Sequence, residues 1–172
     1  MKISTFFKSA VALVAVALLS VSTADAQTFQ KGDNDISLGV GYGWGLPIEV
    51  SYERGVYDIN ETMSIGVGGT FGFATKKYSN YRFTDLFFGV NGMFHYFMWE
   101  NWDLSAGVTL GYEAISAKNV NTGDKVDSSI YSSGLLFGFT ANAKYYFNEN
   151  WAVFAQAGYS IAYIKIGATY KF

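Results

Sequence analysis

The side chains best suited to catalysis or metal binding are scarce in this 172-residue sequence, which has one histidine, His95, and no cysteine. A transition-metal site needs several imidazole or thiolate ligands, so this inventory argues against one. Without cysteine there is also no disulfide framework and no thiol for lipid attachment. We therefore expect neither a metal nor a cofactor. We interpret His95 as an interior side chain that is hydrogen-bonded to its neighbours.

Charged side chains recur on one face of the predicted strands. Alternation along each strand places this set in the interior: Glu49, Glu53, Asp85, His95, Asp103, Glu113, Lys144, Lys165 and Lys171. Charges of both signs in a narrow interior usually pair and close it, because an unpaired buried charge costs several kcal/mol. The alternative is that these side chains line a water-filled path for small solutes.

The elements that position these charges are strands, since large apolar residues alternate with small or polar ones through most of the chain. In residues 102–113, for example, Trp, Leu, Ala, Val and Tyr alternate with Asp, Ser, Gly and Thr, ending on Glu. Successive side chains of a strand point to opposite faces. A soluble sheet carries charged residues on its solvent face, whereas here the second face is mostly glycine, serine, threonine and alanine. We infer that the bulky face meets lipid and the small face fills a narrow interior.

An internal repeat indicates where the chain turns. LFFG at 86–89 and YFMWENW at 96–102 match LLFG at 135–138 and YYFNENW at 145–151 without a gap, and residues 60–63 align more loosely. These turns and the polar connections between them predict eight strands, at 35–43, 48–56, 62–74, 82–97, 102–115, 130–146, 151–159 and 163–172. An even number returns both ends of the chain to one side of a membrane. A two-sheet sandwich shares the alternation but does not explain the inverted faces.

The N-terminus has the features of a Sec-type signal peptide. Lys2 and Lys8 precede an apolar run at 10–19, and Ala24-Asp25-Ala26 supplies a small-x-small cleavage pattern. An uncleaved anchor is disfavoured because the run is shorter than the ~20 residues that a membrane helix needs. We predict a signal peptide at 1–26 and one barrel domain at 27–172.

Aromatic residues cluster near the predicted strand ends, as expected where a barrel meets the two membrane interfaces. The tryptophans assigned to these interfaces are Trp44, Trp99, Trp102 and Trp151. We expect Tyr145 and Tyr146 to belong to the same belt as Trp99 and Trp102.

The C-terminal segment from Ile164 alternates regularly and ends in Tyr170 and Phe172. With the export signal, it makes residues 27–172 resemble the small eight-stranded outer-membrane proteins of the OmpA/OmpX and porin-like β-barrel type. The resemblance implies an antiparallel up-and-down transmembrane β-barrel in the bacterial outer membrane. It also implies that Tyr170 and Phe172 form a signal read by the barrel-assembly machinery, after periplasmic chaperones have escorted the chain.

Three function classes follow from the resemblance. The first is a membrane scaffold or surface-interaction protein with an unknown surface ligand or host factor, aided by long fourth to sixth strands that project beyond the membrane. The second is a narrow pore for small solutes. The third is a lipid A-modifying enzyme, but deacylases of this kind use a His-x-Ser pair, and Phe97 stands two residues after His95. We therefore expect a non-enzymatic protein. No basic run exceeds Lys76-Lys77, so nucleic acid is not an expected partner.

Overall fold

Eight antiparallel strands close into one barrel in the computed structural model, which describes residues 29–43, 45–126 and 133–172. Each strand pairs with its neighbours in the chain and the last pairs with the first. The strands are β1 (Asn34–Gly43), β2 (Ile48–Asn60), β3 (Met63–Tyr78), β4 (Tyr81–Trp99), β5 (Trp102–Asn119), β6 (Gly134–Tyr146), β7 (Trp151–Tyr159) and β8 (Ala162–Lys171). The predicted eight-stranded up-and-down fold is confirmed. The predicted signal peptide lies outside the described residues.

The strand ends differ from the prediction mainly in the middle of the chain. β3 continues to Tyr78 and β5 to Asn119, because the polar residues that we interpreted as connections still pair with β4. β6 begins at Gly134, so the prediction of strand from residue 130 is wrong at Ser133, and residues 130–132 are not described. No helix in the described ranges is long and apolar enough to cross a membrane.

Three strands extend beyond the barrel wall. β2 accompanies β3 only as far as the pair Ile48–Phe73, and β6 accompanies β5 only as far as Glu113–Gly134. Beyond these pairs, β3, β4 and β5 continue side by side to their ends. We call residues 74–78, 81–85 and 114–119 the projecting sheet. The projection thus involves β3 to β5 and not the fourth to sixth strands.

The outer surface of the barrel is apolar, the reverse of a soluble protein. Leu135 is 83% exposed and Val90 is 65% exposed, and large apolar side chains cover the outward face of every strand. The inward face is not formed by small residues alone, because the rings of Phe87, Tyr146 and Phe154 are buried in the interior. Interior glycines make room for these rings: a Cβ on Gly39 would lie 2.9 Å from the ring of Phe154.

Candidate functional site

A buried ionic cluster fills the barrel end at which the chain terminates. His95 of β4 is fully buried, and its Nδ1 lies 2.9 Å from a carboxylate oxygen of Asp103 on β5. Its Nε2 lies 2.7 Å from Glu53 of β2. Both ring nitrogens are therefore hydrogen-bonded to acidic side chains. Ser64 and Ser105, which pair in register with His95 on β3 and β5, therefore have no free imidazole nitrogen beside them.

Lys144 joins this cluster from β6, where it pairs in register with Asp103 of β5. Its Nζ donates to Asp35 Oδ2 at 2.7 Å and lies 3.7 Å from Glu53. The hydroxyl of Tyr146 also donates to Asp35, at 3.3 Å. Sequence reasoning missed Asp35, although its place two residues before Ser37 on the small face of β1 was a usable signal. Tyr146 is buried, so assigning it to the aromatic belt was wrong.

The segment before β1 covers this cluster. The ring of Phe29 lies 4.6 Å from the imidazole of His95, centroid to centroid, and Lys144 Nζ lies 5.3 Å from its centre. Ser64 Oγ donates to the Phe29 carbonyl at 2.8 Å. At the same end, Lys171 lies 3.8 Å from Asp33. These contacts cover the barrel end at which Phe29 and the C-terminal strand lie.

The middle of the barrel holds a second ion pair, between Lys165 of β8 and Glu49 of β2. Both side chains are buried, and Lys165 Nζ stands 5.8 Å from the centre of the Phe154 ring. A cavity of about 40 Å³ remains beside them, lined largely by hydroxyl, amide and charged side chains. A space of this size holds a few water molecules.

An apolar cluster closes the opposite end. Phe87, Ala74 and Ile161 are buried together, with Leu136 packed against them. Two residues beyond Phe87, Asp85 is buried while Glu113 on β5 is only half-buried. No cation pairs with Asp85 in the described part of the chain. Among the described residues, both ends of the interior are therefore packed, by charges and a ring on one side and by apolar side chains on the other.

The predicted interface aromatics lie near the turns. Trp99, Trp102 and Trp151 are exposed on the outer surface, and Trp44 lies outside the described residues. Trp151 contacts Tyr170 with ring centres 5.0 Å apart. Phe172 is exposed, and its backbone exchanges hydrogen bonds with Asn34. Across residues 29–43, 45–126 and 133–172, no group of three or more His, Cys, Asp or Glu side chains is arranged to hold a metal ion.

This geometry is that of a membrane-type barrel with a closed interior, and solved structures share the fold. Ail, the attachment invasion locus protein of Yersinia pestis, solved with the heparin analogue sucrose octasulfate, superposes with a TM-score of 0.55 at 16% identity. That match covers 83% of this chain and 100% of Ail. The N-terminal β-barrel domain of Pseudomonas aeruginosa OprF gives 0.53 at 13% identity, covering 83% and 98%.

No protein-family model matches the sequence, and no curated protein does. The structural likeness nonetheless defines the class: the chain has the fold of the small eight-stranded outer-membrane β-barrels.

Proposed function

We propose that this chain is a non-enzymatic integral protein of the bacterial outer membrane, a closed barrel that serves as scaffold and surface-interaction protein. The observation that carries the proposal is the contrast between a blocked interior and the projecting sheet, which continues beyond the barrel wall. A solute pore needs an open lumen, whereas an interaction surface needs structure outside the membrane. The three longest strands, β3, β4 and β5, form the projecting sheet and so supply structure outside the membrane.

The outer surface supports a place in the membrane. A closed ladder satisfies the backbone N–H and C=O groups that hydrocarbon cannot solvate. An exposed apolar band with Trp99, Trp102 and Trp151 at one edge is the kind of surface that lipid requires. Biogenesis in this setting would involve periplasmic chaperones and the assembly machinery, with Tyr170 and Phe172 as the recognised C-terminal residues.

Catalysis is disfavoured by the state of His95. A hydroxyl nucleophile needs an adjacent base with a free nitrogen, as in a Ser-His pair. Ser64 and Ser105 stand directly opposite His95 on the two neighbouring strands, yet both imidazole nitrogens are bonded to carboxylates. The histidine is also fully buried, away from any lipid substrate.

The proposal is tested by topology on intact cells. An epitope inserted between Ser79 and Asn80, in the turn joining β3 and β4, should be labelled by antibody without permeabilising the cell. The matched control is the same epitope between Glu100 and Asn101, in the turn joining β4 and β5 at the other end of the barrel. It should be labelled only after permeabilisation. Equal labelling of the two sites on intact cells, or none at the first site despite its presence in the membrane, would contradict the proposal.

A further inference from the structure

Four cationic side chains stand in one row across the projecting sheet. Lys77 of β3 pairs with Arg82 of β4, Arg82 pairs with Lys118 of β5, and Lys118 pairs with Lys125 of the following loop. Directly paired residues of antiparallel strands project to the same side, with Cβ atoms roughly 5 Å apart. Four positions at a strand spacing of about 4.8 Å make a row roughly 14 Å long. We call these four residues the cationic row.

The described residues do not neutralise this row. Like charges directly opposite each other destabilise a sheet. All four side chains are exposed, and none has an ion pair or a side-chain hydrogen bond with the described residues. The arrangement therefore has an electrostatic cost that an anion lying across the row would remove.

The row lies on the outer face of the sheet, in line with the lipid-facing surface. On β4, Arg82 shares this face with Leu86, Phe88 and Val90, which are exposed. Between the cations and the apolar residues lies a row of hydroxyls, formed by the paired residues Thr75, Thr84 and Ser116. The step from Leu86 to Arg82 is four residues, or about 13 Å along the strand.

An apolar groove lies further down the same face. It is a shallow, open depression with a volume of about 680 Å³. Phe71, Phe88, Tyr112 and Leu135 border it, and Gly69 contributes a gap in its floor. Going outward along β3 to β5, the surface thus changes from an apolar groove to hydroxyls and then to cations. This is the order of acyl chain, polar linkage and phosphate in a lipid.

We infer that the cationic row and the groove below it bind a phosphate-bearing lipid of net negative charge from the surrounding leaflet, with the phosphate on the row and an acyl chain in the groove. Arginine and lysine are the residues that recognise phosphate. A soluble polyanion would also match the charge, but it would not account for the continuity with the apolar groove. The inference rests on the proposed function, because it requires the barrel to be embedded in lipid.

The experiment measures lipid retention by the refolded chain, residues 27–172, in zwitterionic detergent micelles. Native mass spectrometry counts bound phosphatidylglycerol and, separately, phosphatidylcholine. The test variant is Arg82→Gln/Lys118→Gln, from the centre of the row. The matched control, Lys31→Gln/Arg54→Gln, removes two exposed cations near the other end of the barrel. A cation near an anionic headgroup contributes about fivefold in affinity.

We expect wild type and control to retain phosphatidylglycerol over phosphatidylcholine, and the test variant to lose this preference by about fivefold or more. Because the substitution relieves like-charge repulsion, the test variant should unfold at an equal or higher temperature in phosphate-free micelles. If it does not refold, Lys77→Gln/Lys125→Gln, at the two ends of the row, takes its place with the same expectation.

Other results overturn the inference. If the test and control variants lose the preference for phosphatidylglycerol equally, the lipid is held by general charge attraction. If the test variant retains phosphatidylglycerol as wild type does, the row binds no lipid. Binding to immobilised heparin is measured in parallel. If the test variant loses heparin binding but still retains phosphatidylglycerol, the row binds a sulfated polysaccharide and not a lipid. A wild-type chain whose gel mobility is the same before and after boiling would not be a closed barrel, and then the proposed function itself fails.

Discussion

Charged residues inside the barrel form ion pairs with one another across the interior. Lys144 has carboxylates of two strands within ion-pair distance, Asp35 on β1 and Glu53 on β2. His95 bridges Glu53 to Asp103 on β5. A buried charge pair adds little net stability, yet removal of one partner leaves the other uncompensated at a large cost. This chemistry favours one register of the strands and one closed interior.

The Asp35–Lys144 pair gives a test at this scale. Lys144→Met should destabilise the refolded barrel by about 3–5 kcal/mol, since it leaves the buried carboxylate of Asp35 without a cation and removes one of the two cationic partners of Glu53. Unfolding in denaturant, followed by tryptophan fluorescence in lipid vesicles, measures the change. The double variant Asp35→Asn/Lys144→Met should recover a substantial part of the loss. If the double variant is as unstable as the two single losses added together, the pair is not coupled as the structure indicates.

At the scale of the element, β3, β4 and β5 each serve two environments. Their inner portions face lipid and the barrel interior, while their outer portions form the projecting sheet. The same period of two runs through both portions, and only the chemistry of the outward face changes. Apolar residues such as Val90 give way to Arg82, and the strand continues because its neighbours still pair with it.

Two valines, one in each of these environments, allow the assignment to be tested. Val90→Arg should cost about 2–4 kcal/mol if the residue lies near the middle of the bilayer. Val120→Arg, just after β5 ends, should cost about 0–1 kcal/mol, because a charge beyond the apolar band stays hydrated. Both valines are exposed, so packing losses do not confuse the comparison. Equal free energies of unfolding for the two variants in vesicles would show that the lipid-facing surface has been assigned wrongly.

In the molecule as a whole, both the strand ladder and the lumen are closed. The ladder closes because β1 pairs with β8, which removes the open edges that aggregate. The lumen also closes, through Phe29 and the ionic cluster at one end and through Phe87 and Ile161 at the other. Between them the described residues line a cavity of about 40 Å³.

Conductance tests the closed lumen. The refolded chain, residues 27–172, should insert into a planar lipid bilayer and remain electrically silent, because ions cannot cross the packed ends. Insertion is verified independently by the difference in gel mobility between boiled and unboiled samples. Discrete, reproducible current steps from the wild-type chain would favour the narrow pore over the scaffold.

The amino-acid sequence by itself determined the strands, their number and their two faces. These properties are local: a period of two, read over about ten residues, sets which side chains share a face. Alternation therefore placed Glu53, His95 and Lys144 on the inward face, and the structure brings these three together. The ends of β3 and β5 were harder to predict, because polar residues such as Lys77 continue a strand only where a neighbouring strand is present to pair with it.

Only the tertiary structure decided which residues meet. Asp35 and Lys144 are 109 residues apart, and Glu49 and Lys165 are 116 apart. The cationic row likewise depends on the register of three strands and a loop, since Lys77 and Lys125 belong to distant segments that appear unremarkable alone. Register and closure arise from the whole set of pairings around the barrel. Local alternation specifies the face of each residue but not its partner across the lumen.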